Sequence, residues 1–217
     1  MALEPRSTDG DLLQGMVAGD EQAFVALYRR WQGSLYRFAI QMTGNPGVAE
    51  EVTQEVFLTL MRDPKIFDPS RGPLQAFLFG VCRNFVMRRI SEESRYVRLA
   101  PLSFDGGNGS MEPASSSDLL SDLTQAETVD RVRRAVLTLP TRHREAVVLC
   151  DLQEMSYEQA AAVLRCPVGT VRSRLHRARE LLLLKLKRSA VAQIPRAVAH
   201  PKAKITHELP DLQDDCA

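Results

Sequence analysis

MSYEQAAAVLRCPVGTVRSRLHRAR, residues 155–179, decides the fold of this chain. Ser156 suits a helix N-cap, and Gln159 three residues on completes a capping box. Ala160, Ala161, Val163 and Leu164 give the first helix a small apolar body. Arg165-Cys166-Pro167 breaks it, because proline lacks the N–H and fixes its own φ. Pro167 then suits the first turn of a second helix, from Val168 to about Leu186. Val171, Leu175, Ala178 and Leu182 recur at helical spacing as a buried stripe. Arg172, Ser173, His176, Arg177 and Arg179 project elsewhere, and Glu180 is the helix's one acid. A short helix, a tight turn and a basic second helix form the arrangement that lays its second helix in the DNA major groove. The competing reading is a basic amphipathic helix that is merely solvated.

Working outward, charge is segregated. Residues 127–188 hold 13 Lys and Arg against 7 Asp and Glu, whereas residues 46–64 hold one Arg against four acids. A chain with net charge +1 thus offers a basic part and an acidic part, suited to different partners. At 217 residues, with 44% hydrophobic and 25% charged residues, the composition is globular and allows one or two small domains. No apolar run reaches the ~20 residues of a membrane helix. The first residues lack the basic start and apolar core of a secretion signal, so a cytoplasmic protein without membrane insertion is expected. Cys82, Cys150, Cys166 and Cys216 show no C-x-x-C spacing, which points away from a metal site. No nucleophile–base pair or phosphate loop is visible, so neither an enzyme nor a cofactor is expected.

The rest of the chain reads as helices. Residues 9–18 form a short one, with Leu12, Leu13, Met16 and Val17 inward. Asp20 caps a long helix to about Thr43, carrying Phe24, Leu27, Tyr28, Trp31, Leu35, Phe38, Ala39 and Met42 at three- and four-residue spacing. Residues 47–62 bury Val48, Val52, Val56, Phe57, Leu60 and Met61, and show Glu50, Glu51, Gln54 and Glu55 on the other face. Pro73 opens a helix to about Ser91 that ends in a basic cluster. Glycine, proline and serine between residues 101 and 122 mark a linker. A helical region resumes at Gln125, and Thr141 is read as capping the helix over residues 142–152. The fold class expected is all-α: two small helical domains joined by a flexible linker, the second containing a helix-turn-helix. The boundaries are 9–98, 99–124 for the linker, 125–188, and a tail over 189–217 that reads as disordered and ends on Asp211, Asp214 and Asp215.

Residues 155–179 resemble the promoter-reading helix-turn-helix (region 4) of bacterial extracytoplasmic-function sigma factors. Ser156-Tyr157-Glu158, Ala161, the run Cys166 through Arg174, and Arg177-Ala178-Arg179 carry the resemblance. Residues 49–58, AEEVTQEVFL, look like the core-polymerase docking helix of region 2 of the same family, and Arg83-Asn84 match its promoter-melting segment. The resemblance implies a transcription initiation factor that binds core RNA polymerase and directs it to promoters. It implies contacts to the minus-thirty-five duplex from Thr170, Arg172, Ser173, Arg174, His176, Arg177 and Arg179. It implies contacts to the melted minus-ten strand from Ser70, Arg71, Phe77, Arg83, Asn84, Met87 and Arg88. Glu50, Glu51, Gln54, Glu55 and Leu58 would meet polymerase, and an anti-sigma protein is an implied further partner. Phe77 departs from the tryptophan common at that position, and Phe79 is a second ring that could stack on bases. The alternatives are a helix-turn-helix regulator acting without polymerase, and a sigma-like decoy that sequesters a protein. The acidic helix argues against the first and the retained arginines against the second.

Overall fold

The structure is a computed structural model that describes residues 8–99 and 119–192. Most of the expected linker and of the tail beyond Ala192 lies outside the described residues. Eight α-helices follow one another, and there is no strand among the described residues: α1 (Asp9–Val17), α2 (Glu21–Thr43), α3 (Pro46–Arg62), α4 (Leu74–Leu99), α5 (Leu119–Leu137), α6 (Thr141–Val147), α7 (Tyr157–Leu164) and α8 (Val168–Ala192).

Local chemistry sets the boundaries. Thr8 and Asp11 cap α1 reciprocally. Asp20 accepts from the Gln22 N–H and Asn45 from the Val48 N–H, so each starts a helix. Gly44 ends α2 at φ 72°, a left-handed conformation that glycine adopts without penalty. Gly15 lets α1 approach α2 closely, since a Cβ there would stand 2.7 Å from the Ala23 Cβ.

The N-terminal core is made by α2, α3 and α4. Leu27, Leu35, Phe38 and Met42 of α2 meet Val52, Val56 and Leu60 of α3 and Leu78, Cys82 and Val86 of α4, all essentially inaccessible to water. Burial pushes the Cys82 thiol up to about 12, so it is an inert apolar residue here. Val17 and Met61, expected inward, are half exposed. Both lie in the last turn of their helices, where the stripe that faces the neighbours has already rotated away.

Three helices run longer than their sequence pattern suggested. Helix α4 continues to Leu99, past Ser91, supported by pairing of Glu92 with Arg88 and Arg89 one turn back. Helix α5 begins at Leu119 rather than Gln125, and α8 reaches Ala192, with no proline before Pro195 to stop it. Thr141 is not a cap: it is the first residue of α6, and the cap position is Pro140, without a side-chain hydrogen bond. That helix passes at Val148–Leu152 into a π-turn.

The C-terminal helices have a small core of their own, formed by Leu139, Ala146, Val147, Leu175 and Ala178. Val136, Val148, Leu149, Met155, Ala160, Val163, Leu164 and Val171 instead join the N-terminal core in one continuous cluster. Helix α7 lies along α4, and α5 and α6 meet α2. The two halves share a packed seam.

Candidate nucleic-acid interface

Ser156 and Gln159 form the capping box read from the sequence: the Gln159 N–H donates to Ser156 Oγ at 3.2 Å and the Ser156 N–H donates to Gln159 Oε1 at 2.9 Å. Helix α7 ends on Arg165 at φ 51°, ψ 48°, and the Cys166 N–H returns to the Ala161 carbonyl at 3.1 Å. A non-glycine residue held left-handed makes the turn tight. Pro167 sits one residue before α8, and its carbonyl accepts from the N–H groups of Thr170 and Val171. Removing the cap with Ser156→Ala should lower stability by about 1 kcal/mol, while Ser156→Asp should restore most of it. Denaturant midpoints of the three proteins check this.

Helix α8 buries Val171, Leu175 and Ala178 and turns Arg172, Ser173, His176, Arg177 and Arg179 outward. Neighbours position them differently. The Arg172 guanidinium lies over the Tyr157 ring at 5.5 Å, a contact that holds a cation without neutralising it. Arg177 and His176 both face Glu180, at 2.8 and 3.4 Å. Hydrogen bonding from Arg177 holds the Glu180 carboxyl below its usual range. Arg179 forms a two-point pair with Asp151, at 2.6 and 3.0 Å, which ties α8 to the π-turn. Arg174 is half buried, with Nη1 3.9 Å from Cys166 Sγ. Thr170 is half buried, and its carbonyl accepts from Ser173 Oγ. The outward face therefore centres on Arg172, Ser173, His176 and Arg177. Arg174 and Arg179 are engaged within the protein.

A second group lies on α4 and the loop before it. Ser70 and Arg71 are exposed on a short 3-10 turn that Asp68 caps. Phe77 is half buried, its ring edge-on to Phe67 at 5.5 Å. Asn84 and Arg88 are exposed on the same stripe of α4, with Arg88 over the Phe85 ring at 5.3 Å. Met87 packs partly into the core. Phe79 corrects an expectation: it is 1% exposed and edge-on to Phe38 at 5.5 Å, so its ring is core and unavailable to bases. Arg83 points across the seam, where its Nε donates to Glu145 Oε1 at 2.6 Å.

A third group lies on α3. Glu50, Glu51, Gln54 and Leu58 are exposed and Glu55 is half buried. Glu50 and Gln54 border a shallow groove with Tyr28, Arg29, Gln32 and Tyr36 of α2. Glu51 reaches Arg89 of α4 at 3.0 Å. Leu58, Met61 and Ile66 add exposed apolar surface near the end of the helix.

These three groups coincide with matches to known proteins. Residues 27–96 match the family model of Sigma-70 region 2, and residues 130–182 match that of Sigma-70 region 4. SigC, an ECF RNA polymerase sigma factor of Mycobacterium tuberculosis, is 33% identical over 76% of this chain and 84% of its own length. The chain belongs to the extracytoplasmic-function (ECF) RNA polymerase sigma factors. SigE of Mycolicibacterium smegmatis is 31% identical over 76% of this sigma factor, which spans 63% of that relative's length. Among solved structures, the sigma factor RpoE of Bartonella quintana, in complex with the anti-sigma factor NepR, superimposes with TM-score 0.62. It is 27% identical and covers 76% of this chain and 96% of its own.

The region 2 match contains every residue of the second and third groups, and the region 4 match contains the outward face of α8. Sequence reasoning missed Tyr157 as the support of Arg172, Asp151 as the holder of Arg179, and Glu145 as the partner of Arg83. Only Glu145 left a signal. It lies three and four residues before Val148 and Leu149, in phase with the buried stripe, where a lone carboxylate needs a partner.

Proposed function

We propose that this sigma factor binds core RNA polymerase and directs it to promoters, with α8 reading the minus-thirty-five duplex and α4, with the loop before it, holding the melted minus-ten strand. The observation that carries this reading is the division of α8 into a buried apolar stripe and an outward face of Arg172, Ser173, His176 and Arg177. Arginine and polar side chains on a groove-sized helix can address base edges and phosphates together. Exposed ion pairs such as Arg177–Glu180 contribute little, so phosphates can displace them. Phe77 and Arg88 offer an apolar ring and a cation to unstacked bases.

The functional units are residues 9–98 for polymerase and the minus-ten element, 99–124 as connection, and 125–188 for the minus-thirty-five element. The factor works in the cytoplasm beside polymerase and carries no catalytic step itself. The chemistry is polymerase's. An anti-sigma protein is the third partner, as NepR is for the RpoE relative.

Reconstitution tests the reading. Added to purified core polymerase with a library of genomic fragments, the full chain should yield transcripts with common upstream elements. Core that neither retains the protein nor initiates with it would reject the proposal.

The acidic face of α3 gives a narrower prediction. Glu50→Lys is expected to weaken core binding about tenfold, equivalent to about 1.4 kcal/mol. The fold should be unaffected, because an exposed charge contributes little to stability. Affinity by fluorescence anisotropy at moderate salt, beside a thermal melt, checks both halves. Glu50 serves better than Glu51, whose reversal would also disturb Arg89.

A further inference from the structure

Arg172 and Arg179 stand seven residues apart on α8 and so share one stripe of that helix. The segment that leads into α7 meets both, in opposite ways. Asp151 takes Arg179 in a two-point ion pair. Tyr157, the first residue of α7, meets Arg172 with its ring, whose centre lies 5.5 Å from the guanidinium carbon. Tyr157 is half buried and packs against both apolar clusters of the molecule. The capping box of Ser156 and Gln159 pins the backbone on either side of it. The ring is therefore a fixed platform, not a loose surface group. Glu158 lies near and is exposed. Hydrogen bonding from its own backbone N–H and from the Ser156 hydroxyl, more than the charge of Arg172, holds its carboxyl below the usual range.

We propose that Tyr157 is a positioning residue for promoter reading: its ring holds the Arg172 guanidinium in the pose that meets a base edge of the minus-thirty-five duplex. The inference rests on the reading of α8 above. A free arginine side chain samples many rotamers, whereas a bidentate base contact accepts few. Ordering the side chain at the moment of binding weakens the contact, and ordering it beforehand removes that loss. A carboxylate at the same place would order it too, but would occupy its donors, as Asp151 does for Arg179. The negative face of a ring attracts the cation and leaves the N–H donors in the guanidinium plane open. The first helix of the pair thus contributes to base discrimination through a residue that need not touch a base.

The test separates the face of the ring from its bulk. Full-length Tyr157→Phe, Tyr157→pentafluorophenylalanine and Tyr157→Leu are compared with the wild type. The fluorinated ring keeps nearly the shape of phenylalanine but reverses the charge of its face. The probes are the duplex that the wild-type protein enriches most from a random pool and a scrambled duplex of the same composition. Competition anisotropy at several salt concentrations gives the ratio of the two affinities and the salt slope. Tyr157→Phe should keep the ratio. The fluorinated ring and Tyr157→Leu should lower it about two- to fivefold, the loss of a cation–π contact at an exposed site. The salt slope and the affinity for the scrambled duplex should stay as they are, because no charge has been removed. In an Arg172→Ala background all four residues at position 157 should give the same ratio.

A fluorinated ring that keeps the wild-type ratio while Arg172→Ala lowers it would overturn the proposal and leave the reading of α8 intact. An equal loss with Tyr157→Phe and the fluorinated ring would overturn it too, assigning the effect to the Tyr157 hydroxyl. A loss that persists in full in the Arg172→Ala background would assign it to the packing of α7 instead. A wild-type ratio in Arg172→Ala, or a wild-type protein that enriches no duplex, would overturn the proposal by removing the base reading beneath it. A circular dichroism melt accompanies each variant. If Tyr157→Leu does not fold, Tyr157→Phe and its fluorinated counterpart, alike in shape, decide alone.

Discussion

Phe38→Ala is expected to destabilise the sigma factor by about 3–5 kcal/mol, the largest effect of any single substitution considered. Phe38 is fully buried in the C-terminal third of α2, and its ring meets Phe79 edge-on at 5.5 Å. Truncation would remove the transfer energy of the ring and the aromatic contact, and would leave a void between α2 and α4 that leucine and cysteine neighbours cannot close without backbone movement. Because the N-terminal core continues into the C-terminal half through Val148, Leu149 and Val163, the loss should be felt in both halves as one transition. Urea unfolding followed by both tryptophan fluorescence and far-ultraviolet circular dichroism checks this. Trp31 is the chain's one tryptophan and lies on the same helix, so it reports the N-terminal half directly. A loss under about 1 kcal/mol, below the range for a buried phenylalanine, or two separate transitions, would contradict the shared core. Phe77→Ala, at a half-buried ring, should cost clearly less.

Arg172→Ala should remove about 1–3 kcal/mol of discrimination between cognate and scrambled minus-thirty-five duplexes, the range of a good bidentate base contact. Arg172 is an outward arginine of α8 whose guanidinium rests on the Tyr157 ring, with Glu158 near enough to feel its charge. Arg172→Lys keeps the charge but not the planar fork, and should lose most of the discrimination while keeping the salt dependence of binding. Arg179→Ala should act otherwise. That arginine is occupied by Asp151, so its loss should loosen α8 on the π-turn, lower stability, and weaken cognate and scrambled duplexes alike. Polymerase-free competition binding at fixed salt measures all three. Unchanged discrimination by Arg172→Ala would assign base reading to Ser173, His176 or Arg177 instead.

The sequence by itself determined the elements and the ends at which chemistry sits. Helical spacing of apolar residues placed α2, α3 and α8, and short-range caps placed helix starts, Asp20 that of α2 and Ser156 with Gln159 that of α7. These signals are legible because a cap or a periodic face involves residues at most a few positions apart. The outward face of α8 was legible for the same reason: once Val171, Leu175 and Ala178 are inward, Arg172, Ser173, His176 and Arg177 must be outward. Terminal turns escaped this logic. Val17 and Met61 fit their stripes but lie beyond the neighbour that would cover them.

Only the tertiary structure decided which charges remain available. Periodicity tells which arginines of α8 point outward but not what meets them: Arg172 rests on Tyr157, Arg174 lies against Cys166, Arg177 faces Glu180 and Arg179 is clamped by Asp151. Arg83 and Glu145 stand 62 positions apart, and Gln41 and Gln153 stand 112 apart. No local pattern encodes such pairs, because the chain between them leaves their approach to the packing of α4 against α7 and of α2 against α5 and α6. The same packing put Phe79 into the core while leaving Phe77 half exposed. A difference of two residues on one helix turns a side chain about 200° around the axis, and the neighbouring helices fix which of the two directions faces water.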